Sequence, residues 1–296
     1  MYLTLLIITS PIAAANNRGE NVGNLQTLQK LTTKEGMLSL LSGVSIKYAI
    51  RDAMQADGAY LWREVLDEPE EKNNAGYGYW DGKKRVAAMV DAIPKSANDF
   101  DDTILFGYMV AKKGDGQDAN KQRGNVEVSN AISTTTYDGD ISFHQGLKAG
   151  PSKSGTMDLA PFSVEKHLTR YQFTVTANLK SISKRPKAMA YLLESLKSLR
   201  VGGSHASNAT EVSPAIVAWR FHTAPGRGGL YLGMGLNIQA SGQIDIAPLK
   251  AHCANLGITD YKVAGIDQDM TVDAALKEML KDSNAKMASL AAKSTP

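Results

Sequence analysis

Seven residues near the start of this chain, Tyr2 to Ile8 (YLTLLII), restrict its fold more than any other stretch. They are rich in β-branched and aromatic side chains, and Pro11 closes the run. No lysine or arginine occurs before Arg18, so the apolar segment through Ala15 lacks the cationic head of a secretory leader. It is also too short to span a bilayer. A buried first strand is the reading that fits, with a cleaved leader as the competing one.

At 296 residues the chain can form one large domain or two modest ones around a sizeable core. Hydrophobic residues at 43% and charged residues at 21% are ordinary for a globular protein. The formal net charge of +3 permits binding to a polyanion without announcing it, so any case for nucleic acid rests on where the cations sit. Cys253 is the only cysteine, which excludes an intramolecular disulfide and suits a reducing cytoplasm.

After the first strand, Asn16 to Asn24 reads as a polar loop. Gly43 to Met54 has helical periodicity, with Val44, Ile46, Ala49, Ile50 and Ala53 on one side and Ser42 as N-cap. Asp57 to Asp102 differs in composition: an acidic run at Asp67 to Glu71, an aromatic patch at Gly76 to Trp80 and cations at Lys83 to Arg85. It reads as an insertion with a small core of its own. Thr103 to Ala111 resembles a strand, Lys112 to Arg123 an exposed loop, and Val126 to Thr136 another strand.

Tyr137 to Pro161 is a glycine-punctuated stretch whose length inside a compact domain suggests a functional arm. Arg170 to Ala177 reads as a strand, and Lys187 to Leu199 as an amphipathic helix followed by a glycine turn. Ala215 to His222 is a strand, Thr271 to Leu280 a last short helix, and 282–296 a flexible tail. The order of elements suggests an α+β fold of ferredoxin-like type with large insertions.

Two segments carry chemistry. In Leu41 to Arg51 (LSGVSIKYAIR) a small-residue turn opens a helix, so free N–H groups near Gly43 to Ser45 are expected to face an anion. Lys47 and Arg51, four residues apart, share a helical face. A solvated cationic face is the plainer explanation. In Arg200 to Asn208 (RVGGSHASN), Gly202 and Gly203 allow close backbone approach, while Ser204 and His205 offer neutral hydrogen-bonding groups. The plainer explanation there is a helix C-cap and a turn.

SGVSIKYAIR at Ser42 to Arg51, DTILFGYMVA at Asp102 to Ala111, QRGNVEVSNAIS at Gln122 to Ser133 and LRVGGSHASN at Leu199 to Asn208 occur in that order. Together they resemble the DevR-type branch of the CRISPR-associated backbone proteins. Those are members of the repeat-associated RNA-binding superfamily that forms the spine of type I Cascade. The resemblance spans most of the chain. It implies a modified ferredoxin-like, RNA-recognition-type palm, a helical finger insertion near Asp57 to Asp102, and an extended hairpin thumb near Tyr137 to Glu165.

It further implies that Ser42, Gly43, Ser45, Lys47, Arg51, Gly202, Gly203, Ser204 and His205 grip the backbone of a guide crRNA. The protein would be a cytoplasmic, non-catalytic subunit without cofactor or metal. Its partners would be crRNA, target DNA through the guide, neighbouring copies arranged head to tail and other Cascade subunits, with no membrane. Contacts to phosphate and sugar suit a guide of any sequence, since base pairing reads the target.

An RNA endonuclease of the same superfamily is the alternative. Related subunits that cut RNA use an aspartate in the loop after the first strand, whereas Pro11 to Asn24 offers only Glu20 among asparagines. The histidines (His144, His167, His205, His222 and His252) have no zinc spacing, and Cys253 beside His252 reads as structural. Gly226 to Gly235 mimics a dinucleotide loop but runs into an apolar, strand-like stretch rather than a helix. The chain carries no helix-turn-helix signal of a sequence-specific regulator.

Overall fold

The structure is a computed structural model that describes residues 1–15, 18–62, 98, 100–110, 120–147, 159–201, 210–224, 229–230 and 245–293. The finger expectation falls mostly on 63–97, outside the described residues, as does the dinucleotide-like loop.

The apolar opening run is β1 (Tyr2–Thr9), buried from Leu3 onward. It is followed by β2 (Ile12–Ala14). The stretch expected to be a loop instead carries β3 (Arg18–Val22), which turns back through Gly23 and Asn24 into β4 (Leu25–Leu28). Gly23 has φ 60°, the left-handed conformation that a two-residue Gly-Asn hairpin turn needs, and polar composition hid the strand. The hairpin of β5 (Lys30–Thr33) and β6 (Gly36–Leu41) leads into α1 (Gly43–Ala56). Val44, expected on the apolar side of that helix, is 77% exposed; Gly43, Ile46, Ala49, Ile50 and Met54 are buried.

Thr103 to Ala111 is not one strand. Its apolar start belongs to α2 (Asp101–Phe106), and only β7 (Gly107–Val110) is extended. A short apolar run does not distinguish the two by periodicity, and here Asp101 and Asp102 decide it. Their carboxylates accept the Tyr60 and Trp62 N–H groups at 2.9 and 2.8 Å and anchor the helix start. β8 (Asn120–Arg123), within the expected loop, pairs with β7. Then come β9 (Val126–Val128), β10 (Ala131–Ser133), β11 (Asp140–Leu147), β12 (Leu159–Thr169) and β13 (Tyr171–Asn178).

The chain continues through α3 (Leu179–Ile182) and α4 (Lys187–Ser195), with a 3-10 turn at Leu196–Ser198. Leu199 is already extended, and β14 (Arg200–Val201) pairs with β15 (Thr210–Glu211). The helix thus ends before Leu199, and Gly202 and Gly203 follow β14 in the chain, outside the described residues. β16 (Pro214–His222), α5 (Ala247–Asn255), β17 (Lys262–Gly265) and α6 (Val272–Ala292) complete the chain.

The fold is mixed α+β with antiparallel sheets, apart from one parallel pair, β12 with β4. The main sheet runs β17–β16–β1–β13–β10–β6–β5, with β9 also on β13. A second sheet runs β11–β12–β4–β3, with β2 on β12. Leu3, Leu5 and Ile7 of β1 join Phe173, Val175 and Trp219 in a core shared with α1, α4 and α6. On the opposite face Leu6 packs with Ala218 and with Leu249 and Cys253 of α5. Among the described residues no helix is long and apolar enough to cross a membrane.

The last helix corrects the tail expectation. Thr271 caps it by accepting the Ala274 N–H at 3.2 Å, and it continues through the stretch expected to fray. Met279, Ser283 and Met287 follow one another at four-residue spacing and are all buried, so a serine in the stripe conceals the period. Met287→Ala should cost about 2–3 kcal/mol in urea denaturation, near the low end for truncating a buried methionine. A flexible tail would leave the midpoint unchanged.

Candidate nucleic-acid interface

Ser42 caps α1 in extended conformation, and its hydroxyl accepts the Ser45 N–H at 3.1 Å and contacts the Ser45 hydroxyl at 2.9 Å. The Gly43 N–H donates to the Asn130 side-chain oxygen at 2.9 Å. These two N–H groups are thus taken by the protein, which overturns the expectation that they form an open anion cradle. Gly43 has a separate reason to be glycine. A Cβ there would lie 2.5 Å from the Val128 carbonyl oxygen, so β9 crosses the helix start against bare backbone.

Lys47 and Arg51 do share a face, one turn further on. They border an open cleft of about 680 Å³ whose other wall is the end of α2 with β7, β8 and β9. That wall depends on two glycines. Gly107 has φ 73°, and a Cβ on it would sit 2.3 Å from the Gln122 oxygen; a Cβ on Gly124 would sit 2.4 Å from the Phe106 carbonyl carbon. Both substitutions would push the wall apart.

The cations around the cleft differ in what already holds them. Arg51 Nε lies 3.4 Å from Asp102 Oδ2, whose side chain is 1% exposed, and its guanidinium sits 4.7 Å over the Phe106 ring. Lys47 has its ammonium pKa lowered, first by burial and then by the Arg51 charge, with Glu127 opposing. The negative charge of a phosphate at this position would offset both depressing causes. Arg123, at the rim, pairs with Glu127 one helical-turn length along the chain.

Gly202, Gly203, Ser204 and His205 lie outside the described residues. The strands that flank them are described: β14 lies against α1, with Val201 buried in the main core. The base of the glycine turn is therefore brought beside the helix that carries Lys47 and Arg51. Gln122, Arg123, Gly107 and Gly124 were missed as site residues. The recurrence of glycine in both LFGYM and QRGN was the available signal, and it meaned nothing until the two strands were paired.

With that geometry in place, comparison with known proteins identifies the chain. Residues 12–215 match the family described as CRISPR-associated negative auto-regulator DevR/Csa2, and the chain belongs to that family. It is 28% identical over 231 residues to the CRISPR-associated protein Cas7/Cst2/DevR of Myxococcus xanthus (strain DK1622), covering 74% of this chain and 72% of that protein. Among solved structures, a chain of a CRISPR RNA-guided surveillance complex in a pre-nicking state shares the fold. Its TM-score is 0.58 at 14% identity, covering 96% of this chain and 100% of that one. A chain of a second CRISPR RNA-guided surveillance complex gives 0.57 at 15% identity with the same coverage.

Lys47 and Arg51 should respond differently to truncation. Arg51→Ala takes the Arg51 charge from buried Asp102 and should cost about 3 kcal/mol in urea denaturation, whereas Lys47→Ala should cost well under about 1 kcal/mol. Equal losses would mean that the Arg51–Asp102 pair does not hold α1 to α2.

Proposed function

We propose that this chain is a non-catalytic backbone subunit that binds guide RNA, repeats head to tail along it, and presents it for pairing with target DNA in a CRISPR surveillance complex. The observation that carries the reading is the cationic cleft beside α1 in a chain of the DevR/Csa2 family. Lys47, Arg51 and Arg123 line one open trough rather than an enclosed pocket, as a strand passing through requires.

The connection β1–α1–β9/β10–β13–α4–β16, with strand order β16–β1–β13–β9/β10, supports reading the centre as a ferredoxin-like palm. The β11–β12 pairing, in continuous register from Asp140↔Lys166 through Leu147↔Leu159, supports reading Tyr137 to Glu165 as the thumb. Ile141 and Phe143 on its edge strand are 58% and 64% exposed, which suits an arm that seats on a neighbour. The other surveillance-complex subunits and a cytoplasmic location belong to the same reading, as do grips by Ser204 and His205 on the sugar-phosphate backbone.

Three measurements test it. Lys47→Ala should weaken binding to unrelated single-stranded RNAs alike and lower the salt slope by about 0.7, the share of one phosphate contact. With the wild-type chain, oligomers should lengthen as the RNA lengthens, as a head-to-tail unit requires. Deleting residues 140–156 removes β11, whose sheet partner is β12, and leaves the β12 pairings with β2 and β4 in place. That variant should still bind RNA as single copies and lose the ladder in native mass measurements. One fixed stoichiometry at every RNA length, or RNA cut by the magnesium-loaded wild type, would overturn the proposal.

A further inference from the structure

The main sheet has a polar half on the face away from α1, α4 and α6. Side chains at alternate positions of β1 form its rows. Tyr2 lies between His222 of β16 and Asn178 of β13, and Thr4 lies between Arg220 and Thr176. α5 covers the adjoining apolar half at Leu6 and Ala218. On the polar half is a second cleft of about 370 Å³, bordered by Tyr2, Thr176 and Asn178. It shares Arg123, Gly124 and Glu127 with the cleft beside α1, so the two meet across the turn between β8 and β9.

The hydrogen bonds on this face have a determined direction. His222 Nδ1 is 2.8 Å from the Ala224 carbonyl oxygen, which only accepts, so Nδ1 carries the proton. Burial lowers the His222 pKa, which leaves the ring neutral at pH 7 and Nε2 an acceptor. Thr4, 2.9 Å away, must donate to it, and Thr176 in turn donates to Thr4 at 2.9 Å. The Thr176 oxygen therefore has its hydrogen committed and keeps lone pairs for an incoming donor. The Asn178 side chain makes no hydrogen bond among the described residues and offers both a donor and an acceptor.

We infer that this second cleft holds one nucleotide of the strand whose phosphates lie beside α1, and that Thr176 and Asn178 together recognise its ribose 2′-hydroxyl. The inference rests on the proposed RNA-binding function. Thr176 and Asn178 stand two residues apart on one face of β13, roughly 6.7 Å along the strand. A hydroxyl that donates to one and accepts from the other bridges roughly 5.7 Å. The cleft borders Tyr2 but not His222, which stacks on Tyr2 at 5.6 Å, so the opposite ring face is the one available to a base.

Stacking tolerates any base, and a 2′-hydroxyl contact selects RNA without reading sequence, as a guide of arbitrary spacer requires. Arg220, beside Thr4 on this face, is paired with Asp260 at 2.7 Å, and Arg123, where the two clefts meet, is paired with Glu127, so the groups left to Thr176 and Asn178 are sugar and base rather than phosphate. The volume is that of a small-ligand site, room for a nucleoside and not for a folded partner.

The test compares the full-length chain on single-stranded RNA, DNA of the same sequence, and the RNA fully 2′-O-methylated. Wild type should prefer unmodified RNA. Thr176→Val and Asn178→Ala should each lower RNA affinity about fivefold, the share of one hydrogen bond, and leave DNA affinity unchanged. Tyr2→Leu should weaken both RNA and DNA about tenfold through lost stacking. Melting curves accompany each variant, and Asn178→Ala breaks none of the bonds in the Thr176–Thr4–His222 chain. An RNA-to-DNA ratio unchanged in both Thr176→Val and Asn178→Ala, while Lys47→Ala still weakens binding, would overturn the inference and leave the function standing. Wild type that binds neither strand would remove the function and this inference with it.

Discussion

β1 is the constraint on which the other elements depend. It is hydrogen-bonded along its length to β13 on one side and β16 on the other, and its side chains are buried on both faces. Leu3, Leu5 and Ile7 face the helices, whereas Leu6 and Ile8 face α5 and its surroundings. Side chains alternate with a period of two, so a slip of one residue would exchange these sets and place Thr4 in the helix-side core. The same register sets Tyr2 and Thr4 on the polar half of the outer face. Core packing and the second cleft are thus two consequences of one alignment.

The first cleft is built differently, by backbones that approach too closely for a side chain. Gly43 meets the Val128 carbonyl, Gly107 meets the Gln122 carbonyl of β8, and Gly124 meets the backbone of Leu105 and Phe106 at the end of α2. These contacts bring α1, the end of α2 and the β7–β8 hairpin within reach of one ligand. Arg51 is then tied to buried Asp102, whose other oxygen accepts the Trp62 N–H. A cation that answers a buried carboxylate carries a structural duty whatever else it contacts. Lys47, with its charge disfavoured by burial and by Arg51, has the most to gain from a phosphate.

Much of this was legible in the amino-acid sequence, and the losses have physical causes. The strand at Tyr2, the cap at Ser42, the apolar stripe of α4 and the strand ending at His222 rest on short-range patterns, and those patterns sufficed. β3 was hidden because its polar composition (RGENV) carries no apolar alternation. The far part of α6 was hidden because Ser283 occupies a core position. The anion cradle failed because Asn130, distant in sequence, fills the place in front of the Gly43 N–H. The second cleft escaped notice because Tyr2, Thr176 and Asn178 become neighbours only through strand pairing.

The β11–β12 hairpin, the proposed arm, gains its firmness from the main sheet it leaves. β12 passes into β13 through Arg170 alone, so the arm extends one of the two strands that flank β1. Buried polar contacts pin the junction. Glu165 accepts the Leu28 N–H at 2.8 Å and pairs with Lys30 at 2.5 Å, and Lys30 lies 4.6 Å over the Tyr137 ring. His167 contacts the Ser39 hydroxyl at 2.8 Å, and that hydroxyl contacts Tyr171 at 2.7 Å. Burial and the Glu165 charge push the Tyr137 hydroxyl up to about 12, so it stays protonated at neutral pH. A lever rooted this way resists bending at its base, because a displacement of β12 must break buried hydrogen bonds that water does not replace. Load on the arm therefore passes into β13, the strand that also carries Thr176 and Asn178. In the proposed head-to-tail assembly this would link the seating of a neighbour to the surface proposed to hold the RNA.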